Sequence, residues 1–222
     1  MTYEWRKAAG FCMKKDGDIC LVAPSSPRCW AVTSSDTAPM AIALDGVVSL
    51  AGADGERELP VSALYRDDGI EYLTRRPDEI LAEIVLPPAD GWTSTYLKLR
   101  RRGSFDFPVL GVAIALRMEG EIVRDARIVL GAVASLPREA KAANAALKNE
   151  RLTPELITRV ADLAAGPSKP LDNTDYAHFY RKRMTRVFVT RGLGGLAAGP
   201  PNPPDARHAP GNPGRSSIEE TA

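Results

Sequence analysis

Hydrophobic and polar residues are ordered differently in successive stretches of the chain. Before residue 30 there is little helical or strand period, and the turn formers Lys14-Lys15-Asp16-Gly17-Asp18 and Pro24-Ser25-Ser26-Pro27 mark a loop. From there the pattern sharpens. Trp30-Ala31-Val32 reads as a short strand, and Ser35 or Asp36 as the N-cap of a helix reaching about Leu44. Residues 46–51 read as a strand ending in the Ala53-Asp54-Gly55 turn, with 57–60 as its hairpin partner. The run 79–87 is apolar at Ile80, Leu81, Ile84, Val85 and Leu86, which suits a helix as well as a strand; its shortness and Pro87-Pro88 favour a strand.

After Ala89-Asp90-Gly91 three longer strand-like runs follow, at 94–101, 109–118 and 121–133, the last two joined by a Glu119-Gly120 hairpin signal. These predict an antiparallel sheet. Helices come next: an alanine-rich one over 138–148, a second capped by Thr153 with Pro154 at its first position, and a third capped by Thr174 or Asp175 and reaching about Arg191. Strands followed by helices define an α+β chain. Twelve of the twenty-three residues over 192–214 are Gly or Pro, so a disordered tail is expected over 193–222.

Composition narrows the function classes. Twenty-nine basic and twenty-eight acidic residues leave a net charge of +1, which argues against general affinity for nucleic acid or an anionic membrane. No apolar run approaches the ~20 residues of a membrane span, and the N-terminal residues lack a secretory apolar core; a cytoplasmic location is the expectation. His178 and His208 are the only histidines, and no Gly-x-Ser-x-Gly or Gly-Lys-Ser/Thr motif is present, so hydrolase and nucleotide-triphosphatase chemistry has no foothold. The basic run Arg100-Arg101-Arg102 reads as a solvated strand end or a subunit contact.

Cys12, Cys20 and Cys29 are all the cysteine in the chain. Thiolates are soft ligands for iron–sulfur clusters and zinc, which usually take four, so three suggest a site one ligand short; equally they could be unpaired thiols on a loop. Spacings of eight and nine are too wide for a Cys-x-x-Cys zinc knuckle.

Four segments in order resemble the FAD-binding medium subunit of the xanthine dehydrogenase family of molybdenum hydroxylases: Ser34-Ser35-Asp36-Thr37-Ala38-Pro39, the run 79–87, the run 98–109 with its Arg-Arg-Arg-Gly-Ser-Phe-Asp-Phe-Pro, and Tyr180-Arg181-Lys182-Arg183-Met184. The cysteine loop resembles the insertion of the 4-hydroxybenzoyl-CoA reductase β subunits, in which four cysteines hold a 4Fe-4S cluster; Cys12, Cys20 and Cys29 match the last three. The resemblance implies an iron–sulfur loop over 1–33, the remainder of a PCMH-type FAD-binding domain over 34–90 and a CO dehydrogenase flavoprotein C-terminal-like domain over 91–192. The first cluster cysteine and the family's glycine-rich FAD phosphate loops have no counterpart here; a misplaced start codon is the simplest expectation, and a genuine truncation is the other.

By the same resemblance Asp36 meets the flavin ribityl hydroxyls, Leu81 packs on the isoalloxazine and Lys98 brings a cation to the ring. Each also has an ordinary reading, as a helix N-cap, a core leucine and a strand lysine. The implied function is electron transfer: from a ferredoxin-type donor through the cluster and FAD to a 2Fe-2S small subunit and a molybdopterin-containing large subunit, which removes the phenolic hydroxyl of an aromatic acyl-CoA. The alternatives are the FAD subunit of another hydroxylase of the family, or a docking fragment without cofactor.

Overall fold

The computed structural model describes residues 10–103 and 105–199, with Glu4, Lys7 and Ala8. From residue 10 to residue 35 the chain is a loop with short turns, followed by helix α1 (Thr37–Ala43). Ser35 Oγ accepts the Ala38 N–H at 3.1 Å and so caps α1, while Asp36, in the N-cap position, makes no capping bond. Strands β1 (Val47–Gly52) and β2 (Gly55–Pro60) form the hairpin expected around Gly55, whose φ of 111° a side chain would strain. β3 (Ile80–Val85) is a strand, as Pro87-Pro88 required, and pairs with β1 to give the order β2-β1-β3.

The second sheet is built from β4 (Trp92–Leu99), β5 (Leu110–Glu119), β6 (Ile122–Gly131) and two short strands, β7 (Arg138–Glu139) and β8 (Glu150–Arg151), that pair with opposite ends of β6. β5 separates its side chains by size. Val112, Ile114 and Leu116 face a core completed by helices α2 (Lys141–Leu147), α3 (Pro154–Ala164) and α4 (His178–Ala197). Ala113 and Ala115, on the reverse face, let α1 lie close through Met40 and Ala43. Helix α1 also touches the small core of the first sheet, formed by Val48, Leu50, Val61 and Leu64, and thereby joins the two sheets. Each fully buried Leu, Ile or Val in these cores contributes roughly 1.5–3 kcal/mol.

Four sequence expectations are corrected. Residues 30–32 form no strand, because their polar groups go to separate partners: Trp30 O accepts from Asn173 Nδ2 at 2.8 Å, and the Ala31 N–H turns to Cys29 Sγ at 3.4 Å. The helix expected at 138 starts at Lys141, since Arg138 and Glu139 pair with Leu130 and Val129 first. Helix α4 starts at His178 with no side-chain cap; Asp175 instead accepts from Arg101 at 2.9 Å. It also continues to Ala197, past the expected end of order at 192, because Leu193 is fully buried and Gly192 lies where a Cβ would be 2.6 Å from Ile114 Cδ1, so packing outweighs glycine's poor helix propensity. The remainder of the expected tail, from residue 200, lies outside the described residues. No helix among the described residues is long and apolar enough to cross a membrane.

A buried carboxylate stabilises the first sheet. Glu79, just before β3, is 1% exposed and accepts from Arg57 Nε at 2.6 Å, Arg57 Nη2 at 3.0 Å and the Arg76 N–H at 2.6 Å. The Arg57 hydrogen bonds, which outweigh the opposing effect of burial, bring its pKa down to about 2. Its stabilising effect is therefore complete above the ordinary carboxylate range near 4.5 and is lost as the pH falls through about 2. Thermal melts of the protein and of Glu79→Gln across this range should show a Tm gap that is constant above pH 4.5 and closes towards pH 2; a gap that does not narrow would refute the assignment.

Candidate functional site

Two sites emerge, one at the junction of α1 with the second sheet and one in the N-terminal loop. At the junction, β4 carries Tyr96 and Lys98 on one face, two residues apart. Lys98 Nζ donates to Asp36 Oδ2 at 2.8 Å, and Tyr96 Oη donates to Asp36 Oδ1 at 3.3 Å. Capping by Ser35 is what leaves the Asp36 carboxylate available for these contacts, and the carboxylate remains half exposed. Burial first, and the Asp36 charge second, push the Tyr96 phenol up, so it stays a protonated donor throughout the physiological range. Gly111, opposite Lys98 in the register, makes room: a Cβ there would lie 2.6 Å from Tyr96 Oη.

The structure thus brings Asp36 and Lys98, 62 positions apart, into one ion pair. Leu81 sits elsewhere, on β3, opposite Leu50 and 43% exposed. The sequence reading missed Tyr96, although its period-two spacing from Lys98 was visible.

In the loop, Cys12, Cys20 and Cys29 line one cavity of about 550 Å³ together with Ala31, Val32 and Asn173. All three thiols are free; Cys20 and Cys29 are buried and Cys12 is half-buried. They line the wall without closing into a ligand set: among the described residues no group of three or more His, Cys, Asp or Glu is arranged to hold a metal ion.

The loop is anchored on several sides. Gly69 N–H donates to Cys29 O at 3.0 Å and Lys14 Nζ to Gly69 O at 2.7 Å, while Asn173 holds Trp30. Asp67 accepts from Arg28 at 3.1 Å and from Arg138 at 2.5 Å, tying the loop to the second sheet, and the Arg28 guanidinium stacks 3.7 Å from the Trp30 ring centroid. Gly69 and Asn173 carried no sequence signal, since only the fold brings them to the cysteines. Arg101 and Arg102 belong to a structured turn: Asp106 accepts both their backbone N–H groups, at 3.2 and 3.1 Å, and these bonds hold its carboxyl below the usual range.

Comparison with known proteins supplies the context for this geometry. Residues 94–196 match the family model of the CO dehydrogenase flavoprotein C-terminal domain. The chain is 24% identical to the glyceraldehyde dehydrogenase medium chain of Sulfolobus acidocaldarius over 158 residues, covering 71% of this chain and 55% of that one. It is 32% identical to the aldehyde oxidoreductase FAD-binding subunit PaoB of Escherichia coli over 127 residues, 55% of this chain and 38% of the relative. Among solved structures, carbon monoxide dehydrogenase from Hydrogenophaga pseudoflava superposes with a TM-score of 0.68 at 28% identity, covering 74% of this chain and 56% of that one. The α+β fold is that of these medium chains, and the chain spans about half the length of the curated relatives it matches.

Proposed function

We propose that this chain, a relative of the FAD-binding medium subunits of the CO dehydrogenase/xanthine oxidase family, is the electron-transfer flavoprotein component of a molybdenum hydroxylase-type complex. The observation that carries the reading is the Asp36–Lys98–Tyr96 constellation: a half-exposed carboxylate and a cation fixed side by side at the junction of two sheets. Such a pair fits a flavin. Asp36 has lone pairs left to accept hydrogen bonds from ribityl hydroxyls, Lys98 supplies positive charge for an electron-rich ring, and Leu81 offers an apolar surface. Bound flavin supplies reversible one- and two-electron transfer. The side chains of this subunit would hold and orient it, and the bond-breaking chemistry would belong to a molybdopterin-containing large subunit reached through a 2Fe-2S small subunit.

The finer reading is a 4-hydroxybenzoyl-CoA reductase-like complex, with electrons from a ferredoxin-type donor and reductive dehydroxylation of an aromatic acyl-CoA. It is supported by the convergence of Cys12, Cys20 and Cys29 on one cavity, where they would supply three thiolates of a 4Fe-4S cluster, and by the Ala31 N–H···Sγ contact at Cys29, a type of bond that tunes such clusters. A second reading, an aldehyde- or CO-oxidising complex without that cluster, is favoured by the names of the relatives and by the open arrangement of the thiols.

Riboflavin and FAD titrations, followed by quenching of flavin fluorescence, test the shared core of both. Riboflavin carries the ring and ribityl chain that Asp36, Leu81 and Lys98 would contact and lacks the diphosphate. Binding of both ligands is expected, weakened about tenfold or more in Asp36→Ala, the loss expected for a charged hydrogen-bond acceptor. Absence of binding, or equal binding by the variant, would remove the flavin assignment.

A further inference from the structure

Residues 12–20 form a closed turn with a cysteine at each end. The Cys12 carbonyl accepts the Lys15 N–H at 2.7 Å and the Gly17 N–H at 3.2 Å, and the Met13 N–H reaches across to Ile19 O at 2.9 Å. Asp16, at a φ of 58°, makes the left-handed step that brings the chain back. Gly17 is required at the crossing, because a Cβ there would run into the carbonyl oxygen and carbon of Phe11, backbone atoms that cannot swing away. In antiparallel pairing, a bond from residue i+1 to residue j−1 flanks a non-hydrogen-bonded pair i and j, the kind whose Cα atoms lie only about 4.5 Å apart. The Met13–Ile19 bond sets Cys12 and Cys20 in those two positions. Disulfides bridge Cα atoms separated by roughly 4.4–6.8 Å, and both cysteines line the same cavity.

We propose that Cys12 and Cys20 form a reversible disulfide by exchange with a small-molecule disulfide of the glutathione class. Cys12, half-buried, is the entry thiol, and Cys20, 3% exposed, is the resolving one. The Cys12 thiolate attacks one sulfur of the small disulfide, which forms a mixed disulfide and releases one small thiol. The Cys20 thiolate then attacks Cys12 Sγ and releases the second. Two protein thiols are oxidised to one disulfide, and one small-molecule disulfide is reduced to two thiols. Cys29 stays out of the exchange: its Sγ accepts the Ala31 N–H at 3.4 Å, and the Gly69 backbone packs against it so closely that a Cβ would lie 2.7 Å away. Resting on the cluster reading above, the disulfide also regulates that site, because it withdraws two of the three thiolates; cluster loading and oxidation exclude each other.

The test equilibrates the full 222-residue chain, reduced and free of iron, with reduced and oxidised glutathione in a graded series of ratios and then alkylates the remaining thiols. Trypsin cleavage after Lys7, Lys14, Lys15, Arg28 and Arg57 puts each cysteine on its own peptide, 8–14, 16–28 and 29–57, so mass spectrometry reads which pair is linked. The expected result is a link between 8–14 and 16–28 with Cys29 alkylated, undone by dithiothreitol. Cys29→Ser should form the same link, and Cys20→Ser should stop at a glutathione adduct on Cys12. Gly17→Ala, which opens the turn, should lower the ratio of linked to reduced chain about tenfold or more at equal glutathione ratio, with unchanged circular dichroism. A link to Cys29, glutathione adducts on separate cysteines at every ratio, or a link equally favoured in Gly17→Ala overturns the proposal. A chain already loaded with iron and sulfide should resist the link. A chain that forms the link yet takes up no iron when reduced sinks the cluster reading alone; one that loads iron yet forms no link when iron-free sinks the disulfide alone.

Discussion

Ile114→Ala is expected to lower the unfolding free energy by about 3 kcal/mol, within the 2–5 kcal/mol spread of such core truncations. Ile114 is fully buried in the middle of β5, between Thr95 of β4 and Ile128 of β6, and its Cδ1 fills the space left by Gly192 on α4. Removing it opens a cavity that a sheet paired on both sides cannot easily close. Urea unfolding should show a lower midpoint at an unchanged slope, because the surface exposed on unfolding stays the same. Leu81→Ala on the bare edge strand is the control: at 43% exposure it should change stability by well under ~1 kcal/mol in the isolated chain. Equal effects at the two positions would mean that β3 is covered in solution by something this chain already supplies.

Elements set by local signals were legible in the sequence, and those set by distant partners were not. The β1–β2 hairpin follows from Gly55, the start of α3 from Thr153 and Pro154, and the strand nature of β3 from Pro87-Pro88. Thr153 Oγ1 accepts the Leu156 N–H at 3.2 Å, as its N-cap position requires. Residues 30–32 have strand-like composition yet no ladder, because an asparagine 143 positions away takes the Trp30 carbonyl. Likewise Gly192, Gly194 and Gly195 weaken a helix in isolation, and only Ile114 and the buried Leu193 explain why α4 continues through them.

The same division holds at the candidate sites. Asp36, Lys98 and the three cysteines can be picked out as residue types, whereas the capping exchange that frees Asp36 and the seating of Gly69 under Cys29 exist only in three dimensions. The electrostatics show why such pairs resist detection along the chain: Lys98 has ordinary strand neighbours and acquires its partner from the start of a helix on another layer.

On the proposed cluster reading, Gly69→Ala is expected to reduce cluster loading at the cysteine cavity about tenfold or more while leaving the fold intact, matching the loss in Cys29→Ser. A Cβ at residue 69 would lie 2.7 Å from Cys29 Sγ, 2.6 Å from the Ala31 N and 2.7 Å from the Ala31 Cβ. Two of these three atoms are backbone or fixed to it, so the strain falls on the thiol and on the loop that carries it. The added methyl group therefore pushes Cys29 away from Cys12 and Cys20 and disturbs the Ala31 N–H···Sγ contact. The measurement is iron and sulfide content, with electron paramagnetic resonance after reduction, following anaerobic reconstitution with iron, sulfide and a small thiol. That thiol can occupy the fourth position, for which the chain has no further cysteine. On that reading the unaltered chain should load, Gly69→Ala and Cys29→Ser should not, and Asp36→Ala should load normally, because Asp36 does not line the cysteine cavity. If the unaltered chain takes up no iron even with the small thiol present, the cluster reading falls, and the oxidising relatives become the better guide to the function of this subunit.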